Sequence, residues 1–168
     1  KHIGVLATPG TVASESYVIE LLKQDPTLIV TQQACPMWVP LIESGEHLSD
    51  GANYFVEKYL TELLTRDPLI DTIILGCTHY PLLQPKIEAF LSSIAHSQST
   101  VTNHHISVVS QGSIVADSFA DYLHRHPEFS QDSKGGTCKY LTTESAAKFS
   151  ESASIFLSEP ITAHHIEL

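Results

Sequence analysis

Residues 70–83 read IDTIILGCTHYPLL. At their centre, Thr72-Ile73-Ile74-Leu75 is a β-branched, apolar run, too short for a helix and without polar alternation. A strand buried on both faces has this composition, and such strands occur inside parallel sheets. The run stops at Gly76, and Cys77, Thr78 and His79 follow before Tyr80-Pro81 redirects the chain. A lone cysteine and a histidine therefore lie together where a buried strand ends.

Similar runs recur on both sides, at residues 3–7, 28–31, 106–109 and 139–142. Between most of them the apolar residues are spaced for one helical face, at residues 14–23, 52–64, 84–94, 114–122 and 145–157. Alternation of strand and helix predicts an α/β fold, with a mostly parallel sheet flanked by helices. In such sheets the reactive crevice lies beyond the carboxyl ends of the strands. Cys77, Thr78 and His79 fall there, as does Thr8-Pro9-Gly10-Thr11 after the first strand. Residues 92–105, rich in Ser, Thr, His and Asn, are expected to form a linker. A boundary near residues 97–104 would divide a first unit, 1–100, from a C-terminal segment, 101–168. A second loop is expected at residues 127–136. The chain enters a strand almost at once, which suggests that it was cut from something longer.

The 168 residues suffice for a real core, with 42% hydrophobic and 17% charged side chains. A formal net charge of −10 argues against a nucleic-acid partner. No apolar run approaches the ~20 residues that span a bilayer, and the N-terminus has no signal-peptide layout. Three cysteines, Cys35, Cys77 and Cys138, are far apart, which argues against a disulfide framework or structural zinc and points to a reducing cytoplasm. The pairs His104-His105 and His164-His165 lack metal-ligand spacing, so no metal is expected.

Cys77 has two readings: a thiol activated by His79, or a small buried apolar residue. A helix beginning near residues 82–84 would put Cys77 and His79 near its positive end. Thr78 offers a hydroxyl and an N–H to a carboxylate. In ACPMWVPLIE, residues 34–43, Pro36 and Pro40 argue against a regular helix and predict a fixed apolar loop. That loop ends in Glu43, which could pair with His79 and hold its protonation state; the alternative is a plain surface carboxylate. Cys35, before a proline, reads as structural. Residues 7–12, ATPGTV, form a strand-to-helix turn with hydroxyls for an anion, or a turn capped by Thr11 or Ser14. It is not a Walker loop.

Taken together, ATPGTV, ACPMWVPLIE and LGCTHYPLL, in this order, resemble the glutamate racemase family. The resemblance implies an aspartate/glutamate racemase-like fold and a reaction without cofactor or metal. Two cysteines on opposite faces of the α-carbon would interconvert L- and D-glutamate, supplying D-glutamate for peptidoglycan. By resemblance Cys77 is one acid/base, His79 assists it and Glu43 orients His79. Thr78, His79, Thr8 and Thr11 would hold the substrate. The motif carrying the family's other catalytic cysteine has no counterpart, so the resemblance covers a second domain and C-terminal segment. Its partners would be glutamate and a missing first domain, with room for a homodimer and no place for nucleic acid or membrane. Such a half is not expected to racemise alone. An aspartate racemase, a cysteine-dependent hydrolase or transferase, and a non-catalytic module remain as alternatives.

Overall fold

The structure, a computed structural model, describes residues 1–96, 105–129 and 137–167. It divides into two compact units, Lys1–Val115 and Ala116–Leu168.

The first unit carries four parallel strands: β1 (His2–Ala7), β2 (Ile29–Ala34), β3 (Thr72–Leu75) and β4 (Ser107–Val109), in the order β2-β1-β3-β4. Helices α1 (Pro9–Ala13) and α2 (Ser16–Gln24) lead from β1 to β2. Helices α3 (Trp38–Glu43) and α4 (Asp50–Arg66) lead back to β3, and α5 (Gln84–His96) follows β3. Helix α6 (Gln111–Arg125) starts in this unit and ends in the next. The expected parallel α/β sheet is present.

The strand sequences explain the layering. Ile3, Val5 and Ala7 pack with Val12, Tyr17 and Leu21, so α1 and α2 cover one face. Leu6, Ile73 and Leu75 join Trp38, Ile42, Leu60, Leu63 and Ile87 in the larger core, so α3, α4 and α5 cover the other. Alternate side chains of β1 thus enter two cores, which is why the strand reads as continuously apolar. Gly4 permits the close seat of α4: a Cβ there would lie 2.9 Å from Leu63 Cδ2.

Residues 34–43 depart from expectation. Trp38–Glu43 is a helix, not an irregular loop. Pro40 is its third residue, where a backbone N–H has no intrahelical partner, so the missing donor costs nothing. The helix expected over residues 14–23 is α2, which begins at Ser16 after Glu15, whose φ is 52°, and a separate short helix, α1, precedes it. Thr8, rather than Thr11 or Ser14, caps α1 by accepting from Thr11 N. The expected linker begins too early, because α5 runs to His96. The boundary placed at residues 97–104 lies outside the described residues.

The second unit contains the remainder of α6, a 3₁₀ turn at Pro127–Phe129, β5 (Tyr140–Thr142), α7 (Ala146–Leu157) and β6 (Ala163–His165). β5 and β6 are parallel and α7 connects them. Ser145 caps α7 by accepting from Lys148 N. β6 is only three residues, Ala-His-His, and offers no apolar or β-branched run to read. Of the loop expected at 127–136, residues 130–136 lie outside the described residues.

Candidate active site

The strand order places the reversal of winding between β1 and β3. Outside the carboxyl ends of such a pair, doubly wound sheets open a crevice. Leu6 pairs with Leu75, so Thr8 and Cys77 each follow that rung by two residues. Gly76 N donates to Leu6 O at 2.8 Å. A Cβ on Gly76 would lie 3.1 Å from Leu6 O, Ala7 Cβ and Tyr17 Cε2. Glycine is therefore what lets the chain leave β3 under Tyr17.

Beyond Gly76 the chain folds back. Tyr80 N donates to Cys77 O at 3.2 Å and Leu82 N to His79 O at 3.1 Å. A 3₁₀ turn, Tyr80–Leu83, then runs into α5. His79 precedes this turn, and its Nδ1 lies 3.8 Å from Cys77 Sγ. Its other ring nitrogen, Nε2, lies 3.3 Å from Glu43 Oε1. Glu43 is the last residue of α3, the helix that the prolines were expected to exclude. Helix α5 starts at Gln84, within the expected range of residues 82–84, with the 3₁₀ turn between it and Cys77.

The order of contacts fixes a direction for the proton. With Nε2–H donating to the carboxylate, Nδ1 presents a lone pair to the thiol. Nδ1 can then accept the S–H proton, and a Cys77 thiolate faces an imidazolium braced by Glu43. The Glu43 side chain is 62% exposed, so the pair adds little stability; what it supplies is ring orientation.

Cys77 and Thr78 line a cavity of about 370 Å³ with Tyr17, Leu75, Pro81 and Gln111. No charged side chain is in its lining. That volume is at the small end of ligand pockets. Thr8 and Thr11 are not in the lining: their hydroxyls lie 2.9 Å apart, and Thr8 also caps α1. The structure thus brings Cys77, His79 and Glu43 into one chain of contacts, with Thr78 beside the thiol, and leaves the two threonines occupied with each other. Tyr17 and Gln111 escaped the sequence reading. They are 94 positions apart and only the strand register brings them together.

The other thiols are differently placed. Cys35 is 1% exposed and donates to Gln33 O at 3.6 Å. Burial pushes its thiol far above the ordinary range. It follows β2, with β1 intervening before β3, and both it and Cys77 are free thiols. Cys138 is exposed in the second unit.

No family model matches the chain. Among curated proteins, the glutamate racemase of Lactiplantibacillus plantarum is 36% identical over 99% of this chain and 57% of its own length. Among solved structures, a glutamate racemase from Bacillus anthracis superposes with a TM-score of 0.80 at 29% identity, over 99% of this chain and 57% of that one. Glutamate racemase of Escherichia coli, solved with L-glutamate and the activator UDP-MurNAc-Ala, matches at 25% identity and a TM-score of 0.61, over 94% of this chain and 54% of that one. The chain spans a little over half the length of these relatives.

Proposed function

We propose that this chain, a relative of glutamate racemases along nearly its whole length, supplies one face of a glutamate racemase active site. The observation that carries the proposal is the relay Cys77 Sγ, His79 Nδ1, His79 Nε2, Glu43 Oε1, standing at the β1/β3 switch point. Cys77 as thiolate removes the α-proton of one enantiomer. The resulting carbanion-like species takes a proton on its opposite face from a second thiol. In the reverse direction Cys77 gives its proton and His79 restores it. Thr78, through its hydroxyl and N–H, holds a substrate carboxylate, with Thr8 and Thr11 at the neighbouring strand end. The substrate is glutamate, as in the Escherichia coli relative solved with L-glutamate. The chemistry needs no cofactor or metal, and its product is D-glutamate for cell-wall peptidoglycan, made in the cytoplasm.

The second thiol is not Cys35, which is sealed. It would come from a domain covering the part of the relatives' length that this chain does not span. Ile114 and Phe119 of α6, both more than half exposed, are apolar surface such a domain could cover, and a homodimer is a further assembly. The 168-residue chain alone therefore does not racemise.

The test expresses the protein from its complete open reading frame, its Cys77→Ala variant and the 168-residue chain. Each is incubated with L-glutamate in D2O, following α-proton loss by NMR and D-glutamate by chiral chromatography. D-glutamate from the complete protein, lost on substitution of Cys77, is the expected result. No exchange by the complete protein, or an acyl adduct on Cys77, overturns the proposal in favour of aspartate chemistry or acyl transfer.

A further inference from the structure

The residue before Gly76-Cys77 is held by a group on neither β3 nor its following loop. Gln111, the first residue of α6, donates through Nε2 to the Leu75 carbonyl at 3.5 Å and also to the Tyr17 hydroxyl. The paired register of β3 with β4 ends at Ile74 and Val109, so Gln111, two residues further on, reaches by its side chain the next carbonyl of β3. Tyr17, from α2, lays its ring where a Cβ on Gly76 would stand, 3.1 Å away. Both residues line the cavity with Cys77 and Thr78.

Glycine is the most conformationally free residue, and a reacting thiol directly after one needs outside constraint. The Cys77 Sγ to His79 Nδ1 separation of 3.8 Å leaves little slack. A displacement near 1 Å breaks such a contact and can cost ~10²-fold in a catalytic step.

We propose that Tyr17 and Gln111 are positioning residues, a clasp across α2, α6 and the end of β3 that holds the Cys77 thiol against His79. The inference rests on Cys77 and His79 as the reacting pair but not on which acid is the substrate. The ionisable groups around Cys77 are Tyr17, which lines the same cavity, His79, with Glu43 behind it, Tyr80 and Cys35. Burial keeps the last two neutral through the tested range.

The experiment measures iodoacetamide alkylation of Cys77 in the 168-residue chain by peptide mass spectrometry, between about pH 6 and 9. Tyr17→Phe, Gln111→Leu, the double variant and His79→Asn are compared, with Cys138 as internal standard. Tyr17→Phe keeps the ring over Gly76 and so serves if Gln111→Leu does not fold. The expected result is that each clasp variant slows Cys77 alkylation at neutral pH by about 3- to 10-fold and moves its pH profile upward, as His79→Asn does. The double variant is no slower than either single, because one clasp is lost in each. A wild-type rate and profile at Cys77 in the clasp variants, with His79→Asn still slow, overturns the clasp alone. An unchanged profile in His79→Asn as well overturns the reacting pair and the clasp with it.

Discussion

Cys35 and Cys77 follow parallel strands of one sheet and leave it at the same edge, yet one is sealed and the other faces a cavity. After β2 the chain turns at Pro36-Met37 into α3, which brings Trp38 over the strand end. Trp38 packs edge-on against Tyr80, ring centroids 4.7 Å apart, and Tyr80 donates its hydroxyl to Cys35 O at 3.3 Å. After β3 the chain keeps Gly76, turns through Thr78 and lays His79 beside the thiol. Reactivity at this edge is therefore set by what the following loop places over the sulfur. The two loops also interlock: α3 closes over Cys35 and at its other end delivers Glu43 to His79.

The most disruptive way to break the contrast is Trp38→Ala. It opens a cavity between α3, Tyr59 and Tyr80 and is expected to cost about 3–5 kcal/mol in urea unfolding. Cys35 should then become alkylatable in the native buffer.

A sharper cut removes only the base. His79→Asn is expected to slow Cys77 alkylation at neutral pH by about 10- to 100-fold, at or below the ~10²-fold that a positioned base supplies at the least, with an unchanged melting temperature.

Alkali tests the sealed side. Burial raises both the Cys35 thiol and the Tyr80 phenol, so the folded state holds protons that the unfolded chain releases. Stability from these groups is present below their ordinary values, ~8.5 and ~10, and is lost as pH rises above them. Unfolding free energy should fall above about pH 9, and less steeply in Cys35→Ala. That variant should lose about 1 kcal/mol at pH 7 and leave Cys77 alkylation untouched.

The smallest effect belongs to Glu43→Gln. The pair is exposed, so stability should change by less than about 1 kcal/mol. A glutamine can still accept from Nε2–H but does not brace an imidazolium, so Cys77 alkylation should slow only a few-fold.

The sheet was legible because β1 and β3 are apolar on both faces, a pattern few other structures produce. Cys77 and His79 were legible as a local pair at a strand end. Glu43 was legible as a candidate partner, but its carrier was misjudged, because a proline in the first turn of a helix looks the same in sequence as one that fixes a loop. Tyr17 and Gln111 were not legible as partners, since parallel register, a long-range property, creates their contact. β6 was missed because three residues carry no period.

The most direct test of the contrast is peptide-resolved alkylation of the unmodified chain at pH 7.5. The account predicts rapid modification of Cys77, with Cys35 unmodified. Modification of Cys35 at a rate like that of Cys77, or a Cys77 as inert as Cys35, would contradict it.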